Sequence, residues 1–591
     1  MNGLEYQNAH HQSYLWVVGP GVVEKPLNDM VQNRYRVVAP QIWLDTQPNQ
    51  RPPYPDQPPA AALPYLRAHP QRLHVPGLHG VLGAVATESV LLLNNAPIHP
   101  HSGELLPAMF DLWLETFPLR QLNWLWQGWE LWSALAALGV ASSLLDLDNL
   151  RVDGWRLRLR ELRRDRQPLL LSDLARAWRP LAEDADAAVR SQLLDLLVEL
   201  ENPDPAERFG QRLNQLLLKQ AAHRRVRISL TGGTDPGPGL PRNEDACYPV
   251  GTLPPENAPR LAIVCDGVGG HAGGEIASHM AVQALQLQLQ GLLSAARRES
   301  QLLPPQVVSQ QIEAVLRVVN DIISHQNDSQ GRVERQRMGT TVVMAVVVPQ
   351  SVHTEAGWSQ VEELYIVHVG DSRAYWITPD YCHLLTVDDD IAGREVAAAR
   401  QPLPLALDRP DADALTQALG TRNADHLHPH IQRFIPEETG LLLLCSDGLS
   451  DNNRIEQSWA NYIGLLVKGI VSLETSLATW IQLANQKNGH DNVSVVLMFC
   501  RTSASDTGAK ALATQEDLLQ SELTPSAEAL LYGETADQQP APASPPARRG
   551  VAIWVWVVIG VAIIAGGLTG WWLTRPPVTE PVPESTEQSR N

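Results

Sequence analysis

The hydrophobic pattern of the chain changes character several times. Near the N-terminus, apolar runs such as Tyr14-Leu15-Trp16-Val17-Val18 and Arg34-Tyr35-Arg36-Val37-Val38 have strand length. Between Gln47 and Pro64 prolines come too densely for a helix or a central strand, which predicts a linker or a wrapped arm. From about Ala84 to Arg225 the texture turns helical. Leu119 to Leu138, with Trp124, Trp126, Trp129 and Trp132, is apolar around much of its circumference and predicts a buried helix whose tryptophans fill core. Beyond Val226 strand-like runs at Leu261–Cys265, Thr341–Val348, Leu364–Val369, Leu441–Cys445 and Val493–Phe499 alternate with helical stretches at Gly274–Leu293 and Gln306–His325. This α/β texture lasts to about Arg501.

From Thr502 to Gly550 the chain becomes rich in Ala, Ser, Pro and Gln, which predicts a flexible tether. Val551 to Leu573 is uncharged and predominantly apolar, long enough for the ~20 helical residues that span a bilayer core. A buried soluble helix is the alternative. Trp554, Trp556, Trp571 and Trp572 sit towards its two ends, as interface-seeking rings do. Arg548 and Arg549 precede the run, and Arg575 alone follows before Glu580, Glu584 and Glu587, a bias that puts the N-terminal bulk in the cytoplasm. Gly566 and Gly570 form a weak helix-pairing signal. The expected division is 1–225, mostly helical with the proline-rich stretch at about 47–64; 226–503; a linker at 504–549; a single membrane helix at 550–574; and an acidic tail at 575–591.

At 591 residues the chain exceeds a single core, so roughly three or more segments are expected. Its formal charge of −19 excludes a general nucleic-acid binder, which needs clustered Lys and Arg. Five cysteines without a Cys-x-x-Cys pair fit a reducing compartment and give no zinc site. Met1 to Val18 has no basic stretch before its short apolar run, so no secretory signal is read there.

Three hydrophobic strands each end in an acid beside a glycine: Asp266-Gly267, Gly370-Asp371 and Asp447-Gly448. The full set is Arg242-Asn243-Glu244-Asp245, Asp266-Gly267-Val268-Gly269-Gly270-His271, Met338-Gly339-Thr340-Thr341, Gly370-Asp371-Ser372-Arg373, Ser446-Asp447-Gly448-Leu449-Ser450-Asp451 and Gly489-His490-Asp491-Asn492-Val493-Ser494. Any one of these closes a turn in an ordinary protein. Together, in this order, they resemble the metal-dependent protein phosphatases of the 2C type, bacterial branch, across roughly Val226 to Arg501.

The resemblance implies an α+β fold: a central antiparallel β-sandwich flanked by helices on both sides. It implies an enzyme that hydrolyses phosphoserine or phosphothreonine in a phosphoprotein substrate, with two divalent cations, Mn²⁺ or Mg²⁺; the apolar run at 551–573 adds the membrane tether. By resemblance Asp266 bridges the metals, the Gly267 carbonyl binds one, Asp447 and Asp491 bind the other, and Glu244 and Asp245 act directly or through waters. Asp371 and Asp451 match the positions of a third, weaker metal. The chemistry agrees with these residue types, since hard cations prefer oxygen ligands and phosphomonoester hydrolysis needs charge neutralisation and an activated water. No cysteine is followed by five residues and then Arg, so cysteine-nucleophile chemistry has no site.

Two departures qualify the resemblance. The family places a phosphate-binding Arg four residues before the first motif's Glu, where this chain has Leu240. In an extended strand Arg242 would point to the same side, displaced by ~6.5 Å, and either replaces it or leaves a weakened grip. Val268 stands where animal relatives carry a general-acid histidine; His271 is a second candidate, with a helix-start role as its alternative. The competing functional reading is a pseudophosphatase or membrane scaffold that binds phosphoproteins with little turnover.

Two further passages are ambiguous. Gly139 to Asn149 followed by Trp155 to Leu159 resembles a protein-kinase catalytic loop, but Leu144 replaces the catalytic Asp and no Asp-Phe-Gly follows; an unrelated helical module is the alternative. Thr386-Val387-Asp388-Asp389-Asp390 opens a polar stretch that in relatives forms a flap, and its acids read as a solvated loop in preference to another metal cluster.

Overall fold

The apolar runs beyond Val226 pair into two antiparallel sheets in this computed structural model, which describes residues 13–83, 89–200, 206–252, 260–268, 273–296, 302–355 and 357–504. The expected tether, membrane helix and acidic tail, and His271, lie outside the described residues. No helix among the described residues is long and apolar enough to cross a membrane.

One sheet has five strands in the order Ala246–Tyr248, Leu261–Cys265, Val342–Thr354, Gly357–Val369, His430–Phe434. The other has six, in the order Gly251–Thr252, Arg224–Asp235, Val493–Ala504, Gly440–Cys445, Arg373–Ile377, Cys382–Leu384. Alternate side chains point to opposite faces of a strand, so each strand is apolar on both sides for a separate reason. Ala262, Val264, Val343 and Ala345 meet Leu442, Leu444, Val496 and Met498 between the sheets. On the outer face of the first sheet, Ile263, Met344 and Val346 cover the helices Gly274–Ala296 and Pro305–Ser329. On the outer face of the second, Tyr375, Leu443 and Leu497 cover Arg454–Val467 and Leu473–Lys487. The result is the expected α-β-β-α sandwich.

The N-terminal region corrects the expectation of a mostly helical segment. Residues 13–94 build a six-stranded antiparallel sheet in the order Met30–Val31, Tyr35–Ala39, Ile42–Asp45, Ser13–Val18, Val90–Asn94, Gly77–Leu82. The runs at Tyr14–Val18 and Arg34–Val38 supply two of these strands; the others have two to six residues and take on strand character only beside a partner that buries one face. The proline-rich stretch is a wrapped arm: Pro53 O accepts from Val81 N at 2.8 Å, and a Cβ on Gly80 would collide with it. Helices then follow at Pro118–Ala137, Leu171–Glu183, Arg190–Glu199 and Ala206–Ala221, interrupted by the hairpin Leu150–Asp153/Arg156–Leu159. The kinase-like passage is occupied structurally. Asn149 donates to the carbonyls of Ser143 and Glu161, both at 2.9 Å, and accepts from Glu161 N, while Leu144 is fully buried.

The two parts share cores. Val352, Val361 and Ile435 of the sandwich pack with the N-terminal helices, and Tyr65 and Leu66 pack with Ala392, Val396 and Ala406 of the expected flap. Trp126, read as core filling, also stacks on the Arg433 guanidinium at 4.6 Å, and Arg433 pairs with buried Glu363 and Asn214.

Candidate metal centre

The strand Leu261–Cys265 is completely buried and stops at Asp266, whose backbone is held from both sides. Asp266 N donates to Thr341 Oγ1 at 3.1 Å, while Asp266 O accepts from Thr341 N at 2.8 Å and Thr340 Oγ1 at 2.7 Å. The Met338–Thr341 motif thus acts as a clamp on the acid. A Cβ on Gly267 would collide with the backbone of Gly274 and Glu244, which explains the glycine physically. Glu244 Oε2 lies against Gly274, where a Cβ would displace it.

The other acids arrive by separate routes. Ser446 Oγ donates to Asp245 Oδ2 at 2.7 Å and accepts from Ser494 N, fixing the carboxylate of a fully buried residue. Asp447 opens the short helix Asp447–Ser450 at the end of Gly440–Cys445. Asn492 joins two motifs: its Oδ1 accepts from Glu244 N at 2.7 Å and its Nδ2 donates to the carbonyls of Pro236 and Arg242. Asp491 Oδ1 accepts from Asn492 N at 2.7 Å. Asp451 Oδ2 meets His490 Nε2 at 3.1 Å. Sequence reasoning quoted Ser446 and Asn492 within their motifs but gave them no role; their position beside Asp447 and Asp491 was the signal.

Electrostatics show that the acids face one another. Burial, then Asp245, Asp447, Asp371 and Asp491, push the Asp266 carboxyl well above its ordinary range. Burial, then Asp447 and Asp491, push Asp245 up to about 7 against the Ser446 hydroxyl. Burial and Asp447 push Asp371 to about 8. Burial, Asp491 and Asp451 push Asp447 to about 6, opposed by the neighbouring Asp266 carboxyl. Asp447 Oδ1 is buried with no partner among the described residues. Converging carboxylates with an orphaned oxygen, in an all-oxygen donor set, fit hard divalent cations.

Two expectations change here. The strand before the first motif ends at Asp235, and the loop turns through positive φ at Gly237 and Gly239, so the alternate-side argument for Arg242 does not apply. Arg242 is exposed, and its guanidinium has no hydrogen bond or ion pair among the described residues. The Asp388–Asp390 triplet is not a solvated loop. Asp388 binds Arg373 at 2.6–3.1 Å, Asp389 Oδ2 accepts from Gly370 N at 2.9 Å, and Asp390 Oδ1 caps Ile391–Ala397 through Gly393 N at 2.6 Å. Each acid therefore ties the flap to the Gly370-Asp371 turn or organises its helix.

Similarity to known proteins agrees with this arrangement. The Protein phosphatase 2C family model matches residues 239–482. The protein phosphatase PhpP of Streptococcus pneumoniae is 30% identical over 240 residues, covering 40% of this chain and 85% of that protein. The serine/threonine phosphatase stp of Listeria innocua is 29% identical over 239 residues, covering 40% and 83%. Among solved structures, the Mycobacterium tuberculosis phosphatase PstP/Ppp is 25% identical, covering 46% of this chain and 99% of that one, with a TM-score of 0.35. The PstP catalytic domain in complex with two manganese ions is 26% identical over 47% of this chain and all of that one, also with a TM-score of 0.35. The chain belongs to the protein phosphatase 2C family. It is a hydrolase, a protein phosphatase that depends on divalent cations.

Proposed function

We propose that the chain is a serine/threonine protein phosphatase acting on phosphoprotein substrates, with residues 226–503 as its catalytic part and residues 551–573 anchoring it in a membrane so that the N-terminal bulk faces the cytoplasm. The carrying observation is the convergence of Asp245, Asp266, Asp371 and Asp447, each carboxyl displaced upward by burial and by its neighbours, with one Asp447 oxygen buried and unpartnered among the described residues. Serine/threonine specificity is supported by the name of the stp relative, and the anchor by the uncharged run at Val551–Leu573.

Asp266, the Gly267 carbonyl, Asp447, Asp491, Glu244 and Asp245 would hold two cations, with Asp371 and Asp451 at a third, weaker position. Cations bound there supply charge neutralisation for the phosphoryl oxygens and an activated water. The protein's own work is positional. Thr340 and Thr341 fix the Asp266 backbone, Ser446 orients Asp245, and Asn492 holds the loop of Glu244 against Asp491. Preorganised ligands of this kind avoid the cost of ordering during the reaction. Arg242 remains the sequence-derived candidate for the phosphate.

The test is turnover of a phosphothreonine peptide by the full chain with Mn²⁺. Turnover that persists unchanged in Asp266→Asn and Asp447→Asn would remove the site from consideration. The pseudophosphatase reading is favoured by one observation, Leu240 at the expected Arg position beside an exposed Arg242. Phosphopeptide binding by the wild type without turnover would establish it.

A further inference from the structure

We propose that Arg72, contributed by the N-terminal region, is the cation that grips the substrate phosphate; the inference rests on the phosphatase reading and names a residue for its missing half. A cavity of about 480 Å³ opens beside the candidate metal centre. Its wall includes Asp371 and Asp447 from the acid cluster, Arg373 and Asp388 from the flap junction, and His69 and Arg72 from the N-terminal region. Arg72 follows the turn His69–Gln71, and its own backbone is anchored: its N donates to His69 O at 3.1 Å and its O accepts from Asn95 Nδ2 at 2.6 Å.

The two arginines of this cavity differ in one decisive respect. Arg373 is committed, donating to both oxygens of Asp388 at 2.6–3.1 Å. Arg72 is half-buried, and its guanidinium has no hydrogen bond or ion pair among the described residues. The two acids that act most on Arg72 are engaged elsewhere, Asp388 with Arg373 and Asp390 Oδ1 with Gly393 N, while Asp413, Asp451 and Glu456 also line the cavity. Burial and Arg373 lower the Arg72 pKa, opposed by the charges of Asp388 and Asp390, neither of which makes an ion pair with it. His69 beside it is held neutral, its pKa pushed down to about 4 by burial and then by Arg72. An uncommitted guanidinium on the wall of a cavity shared with metal-type ligands suits a tetrahedral dianion, which it can fork with two N–H groups. The same guanidinium also borders a smaller cavity of about 80 Å³, too small for a phosphorylated peptide. The larger cavity is therefore the one with room for substrate.

The assignment is tested by calorimetric titration of inorganic phosphate into the Mn²⁺-loaded full chain, with Mn²⁺ affinity measured separately. Arg72→Ala is expected to weaken phosphate binding about tenfold, the usual scale for losing a charge-assisted bond, and Arg72→Lys to recover part of it. Mn²⁺ affinity is expected to hold or tighten, because a cation has left an acid-lined cavity. Phosphate affinity equal to wild type in Arg72→Ala overturns the proposal. So does a wild type that binds no phosphate, a loss confined to Arg242→Ala, or a parallel loss of phosphate and Mn²⁺ affinity in the Ala, Gln and Lys variants, which would mark a structural role. The readout is anion binding, so it stands apart from turnover. A wild type that binds phosphate through Arg72 but hydrolyses no phosphopeptide would defeat the proposed function while supporting this assignment.

Discussion

Buried and half-buried carboxylates occur in two regions of this molecule, and they are treated in opposite ways. Within the N-terminal sheet and along its junction with the sandwich, acids meet arginines: Asp45 with Arg34 at 2.7 Å, Glu437 with Arg120 at 2.6 Å, and Glu363 with Arg433. Burial works against ionisation of Asp45, but Arg34, His79 and the Gln47 amide together hold its carboxyl well below the usual range. In the candidate metal centre Asp245, Asp266, Asp371 and Asp447 face one another, and all four carboxyls are displaced upward. A folded protein tolerates buried charge when it is paired and hydrogen-bonded. The contrast separates acids that finish a structure from acids that wait for a cation.

The contrast can be tested from its largest effect downward. Asp266→Asn or Asp447→Asn should lower Mn²⁺-dependent phosphopeptide turnover by roughly 10³-fold or more, and should abolish the rise in melting temperature that Mn²⁺ gives the wild type. Metal-free stability should not fall, because a repelled acid has been neutralised; a large loss in the absence of metal would break the comparison. Arg433→Met should do the reverse. It leaves Glu363 buried and unpaired, so urea denaturation should show a loss of about 3–5 kcal/mol, with Mn²⁺ affinity preserved.

Smaller effects sharpen the same division. Gly267→Ala forces the backbones of Gly274 and Glu244 apart and should reduce turnover about 10- to 100-fold, the scale seen when support around a metal ligand is disturbed. The smallest effect concerns acid. Burial, then Arg156 and Arg158, push His74 down to about 4 against the Leu157 carbonyl, and burial and Arg156 push His383 to about 4 as well. The unfolded chain takes up these protons near pH 6.5 and the folded chain only near pH 4. The share of stability set by these two histidines should therefore be level above pH 6.5 and decline as pH falls from 6.5 to 4. In thermal melts across that window, His74→Asn should flatten part of the decline; an unchanged slope would show that His74 does not contribute.

Legibility followed the same line between regions. The sandwich strands were readable because Leu261–Cys265 and Gly440–Cys445 are uninterrupted apolar runs ending at Asp266 and at Ser446-Asp447. The N-terminal sheet was only half readable. Ser13–Val18 and Tyr35–Ala39 carry strand-like residues, whereas Met30–Val31 and Gly77–Leu82 acquire strand character only beside their partners. At the site, Glu244, Asp245, Asp266 and Asp447 were named from their motifs. Arg242 was placed by assuming an extended strand, and the positive-φ glycines at 237 and 239 remove that geometry.

By itself the sequence determined the apolar strand runs, the turn glycines and the acids at the strand ends, because these are encoded within a few residues of one another. That local code was sufficient for the sandwich and for the candidate ligand set. The tertiary structure alone decided that Pro53 crosses Val81, that Asp388 locks Arg373, and that Arg72 enters a cavity lined by Asp371 and Asp447. Such contacts join residues on different elements, in the last case hundreds of positions apart, and their energy depends on which groups burial has stripped of water. No spacing along the chain records that.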